Sequence, residues 1–231
     1  MGEILDQIDA VPPMQGGNRE ETLRAAARVA CDLAASGRRC TVIAGSFDEA
    51  AQLKALVGAE ASGGLGVRAT TFDLWLEDEW QLWGDGRVLV GPAQRLAVAW
   101  EIVSAADGLP VSGAPMAQWL ARAAREALPW LTGQPSVPLE GAESACCAAL
   151  CRYGEELFRR GLVERSEACR ILGDGLHVGR SAPVVLLVGE ELDQRGIAER
   201  WLLGQIGAME VRNVRTLPPG GQPSELRTLL S

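Results

Sequence analysis

Hydrophobic positions along the chain switch between a helical and an unbroken period. From Glu20 to Ala35, Leu23, Ala26, Ala27, Ala30, Leu33 and Ala34 recur at spacings of three and four. That stripe predicts an amphipathic helix, which Gly37 stops. Cys40 to Ala44 (CTVIA) reads as a short buried strand that turns at Gly45-Ser46. Asp48 to Val57 predicts a second helix ending at Gly58, Ser62 to Gly66 a glycine-rich loop, and Val67 to Phe72 another strand. The strongest strand signal comes late. Val184 to Val188 (VVLLV) runs without a polar break between Pro183 and Gly189. Such a β-branched run, with no alternation, is expected of a strand covered on both faces in a parallel sheet.

Between these strand regions the pattern is helical. Helices are expected over Asp73–Trp83, Pro92–Val103, Met116–Leu128, Glu143–Arg160 and Ser166–Leu172, with Ser166 as an N-cap. The only strand candidate there is Val88–Val90, and Gly133–Gly141 reads as a linker. After Val188 come a helix over Gly196–Ile206, a strand over Met209–Val214 and a Pro/Gly-rich tail over 217–231. The expected fold class is therefore α/β with a parallel sheet. Residues 1–72 and 181–216 would form one discontinuous α/β domain, and 73–180 a helical insertion.

Charge narrows the function. The net charge is −8, so the surface as a whole repels nucleic acid, and DNA contact would need a local basic patch. The 22 cations comprise arginines and a single lysine, Lys54. No apolar run approaches the length of a membrane span, and the acidic start MGEILDQIDA lacks the features of a signal peptide, so a cytoplasmic location without membrane contact is expected. His177 is the only histidine, which leaves no His-pair metal site.

Several residues could carry chemistry, each against a plainer reading. Glu190, Glu191 and Asp193 follow the central strand, where open α/β sheets bind ligands; they equally suit the N-terminus of the next helix. Thr71 and Phe72 could lie beside a nucleic-acid strand, or Phe72 could plug the core. Trp75, Trp80, Trp83 and Trp100 read as core. Arg152, Arg159, Arg160 and Arg165 form the densest basic cluster, but Glu155, Glu156, Glu164 and Glu167 beside them favour a salt-bridged face. Cys146, Cys147, Cys151 and Cys169 read as packing residues rather than as cluster ligands.

Three stretches carry a resemblance. VIAGSFDEAAQL (42–53), ATTFDLW (69–75) and LLVGEELDQRG (186–196) resemble, in order, motifs of a superfamily 1 helicase. The segments GRVLVGPAQRLAVAWEIV (86–103) and YGEELFRRGLVERSEACRIL (153–172) are similar to parts of AddB-type helicase–nuclease subunits and related DNA-repair nucleases. The resemblance implies a RecA-like domain with a helical insertion. In its terms PPMQGGNREET (12–22) stands at the phosphate loop, keeping Gly16, Gly17 and Thr22, with Asn18, Glu20 or Glu21 where a lysine should be. Glu190 and Asp193 match the magnesium-binding segment, while Gly189 replaces its aspartate. Glu190 is then a vestigial catalytic candidate, and Glu190 with Asp193 vestigial metal candidates.

The resemblance accordingly implies a non-catalytic helicase-like module that scaffolds DNA-end processing, without ATP or Mg²⁺ as a cofactor. Its expected partner is a helicase or nuclease subunit or domain of the same system, with weak single-stranded DNA contact through Thr71, Phe72, Arg159 and Arg160. Two alternatives stay open. One is a divergent ATP-dependent helicase whose lysine is supplied by a partner or replaced by Arg19; the other is a protein-interaction module without a DNA role.

Overall fold

The computed structural model describes residues 19–60, 64–131, 140–175, 184–188 and 195–211. In chain order the elements are α1 (Arg19–Ala35), β1 (Cys40–Ala44), α2 (Phe47–Ala59), β2 (Val67–Thr71), α3 (Phe72–Trp83), β3 (Val88–Leu89), α4 (Pro92–Ser104), α5 (Ala114–Ala127), a 3-10 turn (Leu128–Trp130), α6 (Gly141–Arg159), β4 (Leu162–Val163), α7 (Arg165–Gly175), β5 (Val184–Val188), α8 (Ile197–Gln205) and β6 (Met209–Val211). The fold is α/β, predominantly helical, with a small parallel sheet.

The chain divides into two compact units. The first holds Met1–Thr71, Pro183–Glu191 and Met209–Ser231; the second holds Phe72–Ala182 and Leu192–Ala208. In the first, the strands lie in the order β2-β1-β5-β6, all parallel. Val42 of β1 pairs with Ala69 on one side and Leu186 on the other. Both β1 and β5 are buried at every position, as expected for strands flanked on each edge. Helix α1 lays Leu23, Ala26, Ala27 and Ala30 into this core beside Leu53 of α2. Small residues at those positions let the helix approach closely. Gly37 ends α1 with a positive φ of 81°, and its N–H donates to Ala34 while the Arg38 N–H donates to Leu33, a Schellman close.

The second unit packs α4, α5 and α6 around Val98, Met116, Leu120, Leu150, Tyr153 and Leu157. One polar cluster closes it. Glu164 has no exposed surface; its carboxylate accepts from the Arg95 Nε at 2.8 Å and Nη2 at 2.9 Å, and from the Tyr153 hydroxyl at 2.7 Å. Residues from α4, α6 and the start of α7 are thereby tied to one buried charge. Low surroundings of water strengthen such a network when every partner is present.

Several sequence expectations are corrected here. Residues 181–216 do not all join the sheet unit. Helix α8 belongs with the helices, because Gly173 of α7 lets the Trp201 ring lie where a Cβ would be only 2.3 Å away. A second, two-stranded parallel sheet joins β3 to β4, pairing Val88 with Leu162 and Leu89 with Val163. Strand β4 is only two residues long, too short for a periodic signal. Ser166 is not an N-cap: α7 starts earlier, the Glu164 carbonyl accepts from the Ala168 N–H at 2.9 Å, and the Ser166 hydroxyl is buried without a hydrogen-bond partner. Phe72 starts α3 rather than ending β2. Trp75 and Trp80 are core, but Trp83 and Trp100 are about half exposed, since each projects from the flank or end of its helix. The helix bounds otherwise differ from expectation by one to three residues, the largest difference being the end of α7 at Gly175 rather than Leu172.

Candidate functional site

Parallel strands finish together, so the sheet has one carboxyl edge, and loops there can converge on a ligand. Strand β1 ends at Ala44 opposite Thr71 of β2, and continues into Gly45-Ser46. The start of α1 returns to this edge, because Arg19 meets Glu49 of α2 there. The contact is bidentate: the Arg19 Nε and Nη2 donate to the two oxygens of Glu49, each at 2.7 Å. The Gly45 N–H also donates to Glu49, at 3.1 Å. Ser46 caps α2, its hydroxyl accepting from the Glu49 N–H at 3.2 Å.

Glu49 thus occupies donors that would otherwise suit an anion: a forked guanidinium and a backbone N–H after a parallel strand. Hydrogen bonding from Arg19 holds its carboxyl below the usual range, so it stays ionised at neutral pH. Next to Arg19 the first turn of α1 carries Glu20 and Glu21, and Glu20 pairs with Arg24. The local charge at this end of α1 is therefore balanced by carboxylates of the chain itself.

The residues singled out from sequence fare unequally. Gly16, Gly17 and Asn18, with Glu190 and Asp193, lie outside the described residues. Thr22 is in the first turn of α1 and is buried. Thr71 is half-buried at the end of β2. Phe72 is 1% exposed, set against Trp75 with ring centroids 5.5 Å apart and covered by the Arg195 guanidinium at 4.4 Å. Its face is taken, and base stacking by Phe72 is corrected to a core role. Arg159 and Arg160 are on the surface of α6 and the turn after it. Their guanidinium Nε atoms donate to Glu156 at 2.8 and 2.6 Å, and Arg160 also meets Glu101. These bonds pull the half-buried Glu156 carboxyl down to about 2. Arg159 and Arg160 therefore belong to a salt-bridged face.

A second polar cleft lies wholly within the helical unit. Arg125, Glu126, Arg165, Ser166, Gly196, Ala198 and Glu199 line a cavity of about 20 Å³. That is room for a water molecule, not for a nucleotide. Burial raises the Glu199 carboxyl, against the opposing pull of Arg165 and Arg195. Arg165 is shared with Asp73.

Sequence reasoning missed Arg19–Glu49, Arg87–Glu167 and Arg95–Glu164 as pairs. Their members are 30, 80 and 69 residues apart, beyond any local pattern. Only Glu49 left a trace, as the fourth residue of a Ser-x-x-Glu start to a helix. Among the described residues, no group of three or more His, Cys, Asp or Glu gathers to hold a metal, and no helix is long and apolar enough to cross a membrane. No protein-family model matches the chain, and no curated protein sequence matches it.

Proposed function

We propose that the chain is a non-catalytic, RecA-like module of a helicase–nuclease system, scaffolding DNA-end processing rather than hydrolysing ATP. The order of its motif-like stretches supports the family reading, and so does a parallel sheet accompanied by a helical unit. The observation that carries the negative part is the Arg19–Glu49 pair. A triphosphate brings a charge of about −4 to a site, and is held by lysine, backbone N–H groups and Mg²⁺. Here the arginine nearest the expected loop is committed to a carboxylate, the Gly45 N–H is taken by the same carboxylate, and Glu20 and Glu21 add repulsion. The described residues at this edge therefore do not suit a nucleotide, and no step through one follows.

The divergent-NTPase reading keeps one foothold, since Arg19 does stand at the start of α1. Phosphate release, measured with and without single-stranded DNA, separates the two. The scaffold reading expects no turnover above background in the full chain; turnover that Glu190→Gln abolishes would establish the enzyme. A gel shift with single-stranded DNA at low salt tests direct contact. The salt-bridged face of α6 leads us to expect weak binding at most, steeply lost with salt.

A further inference from the structure

Helix α6 carries three cysteines among alanines: Cys146, Cys147 and Cys151. Residues four apart on a helix are neighbours on one flank, while adjacent residues do not face each other. Cys147 and Cys151 are such a pair. Cys147 is half-buried and Cys151 exposed, so the pair can be reached from solvent. Cys146 points elsewhere, packing against the core of the helical unit. By contrast, Cys31 and Cys40 are only 3% and 1% exposed within the core of the sheet unit.

The helix puts the two residues on one flank but spaces them too widely for a disulfide. Neighbouring positions are about 5–6 Å apart at Cβ, whereas a disulfide needs about 3.5–4.5 Å. An accessible dithiol of fixed spacing results. Thiolate pairs select soft ions. Two sulfurs on one flank, with no third ligand gathered beside them among the described residues, suit an ion that accepts two-coordinate ligation.

We propose that Cys147 and Cys151 form a binding site for a soft, thiophilic metal ion of the Cu(I) class. On binding, each thiol loses its proton to solvent and two sulfur–metal bonds form, without electron transfer. Affinity consequently rises with pH. The site stands apart from the functional reading above.

The test is an anaerobic titration of the reduced full chain with Cu(I), in competition with a bathocuproine chelator read by its colour. The chain should withdraw one equivalent, and Cys147→Ser or Cys151→Ser should each weaken binding by more than about tenfold, against about twofold or less for Cys146→Ser. Equal retention by the Cys147→Ser and Cys151→Ser variants would overturn the site, as would an equal loss on Cys146→Ser or Cys31→Ser. Phenylarsine oxide, which bridges paired thiols, gives a second reading on the unaltered chain. It should shield Cys147 and Cys151 together from alkylation, detected by peptide mass spectrometry; alkylation of both despite the reagent contradicts the proposal.

Discussion

In the sheet unit the buried side chains are small or aliphatic, from Ala26 and Ala30 to Val42, Leu186 and Val188, and the buried polar residues described there are threonines. The helical unit instead encloses the charged pair Arg95–Glu164, and all seven tryptophans of the chain fall within it. The sheet unit leaves its ion pairs outside: Arg24–Glu20 and Arg28–Glu60 are largely solvated, and Arg19–Glu49 partly so. A parallel sheet buried on both faces is built from continuous apolar runs, and its backbone polar groups are satisfied by the ladder without a buried charge. Helices can slide and rotate against one another, and a buried polar anchor is one means of fixing their arrangement. As a hypothesis, Glu164 is that anchor.

The largest expected effect breaks the helical side of this contrast. Glu164→Ala leaves the Arg95 guanidinium, 11% exposed, without its carboxylate. Loss of one member of a buried pair costs about 3–5 kcal/mol. Denaturant unfolding should show that loss; a change under about 1 kcal/mol would mean that the anchor contributes little beyond a surface pair. Next comes the α7–α8 seam. Gly173→Ala places a Cβ 2.3 Å from the Trp201 ring, and such overpacking costs about 1–3 kcal/mol. Unchanged thermal stability would show that the two helices part without cost.

The sheet side should respond less. Glu49→Gln weakens a partly solvated pair, with side chains 44% and 18% exposed, so the stability loss should stay within about 1 kcal/mol. The pH dependence has a definite sign. The folded-state Glu49 carboxyl is depressed, so its contribution is present above the ordinary carboxylate pKa and disappears as pH falls through the folded value. Acid titration of stability should be shallower in Glu49→Gln than in the unaltered chain. Glu199 provides the smallest effect and the opposite sign. Its raised carboxyl binds a proton more tightly in the folded state, so its contribution falls as pH rises from the ordinary carboxylate value through the folded one. Glu199→Gln should remove that decline and hold stability better at neutral pH; a steeper decline would contradict the assignment to burial.

Much of the sheet unit was legible in the chain, because its signals are local. VVLLV and CTVIA are buried at every position, and the Leu23–Ala30 stripe faces the core as its spacing implies. The helical unit was legible as helices but not as an assembly. Apolar spacing placed Trp83 in the core, yet spacing cannot separate the centre of a buried face from its flank, and Trp83 is 54% exposed. Helix α8 looked like a crossover between β5 and β6, and its packing on α7 depended on one glycine. The absence of a lysine from residues 12–22 was visible in the sequence. The engagement of Arg19 by Glu49 was not, because the two lie 30 residues apart.

The central claim of the proposed function is that the sheet's carboxyl edge does not grip a triphosphate, Arg19 being held by Glu49. Calorimetric titration of the full chain with Mg-ATP tests this most directly. The account predicts no saturable heat at nucleotide concentrations up to about 1 mM, equivalent to binding weaker than about −4 kcal/mol. A saturating isotherm with a micromolar dissociation constant would contradict it.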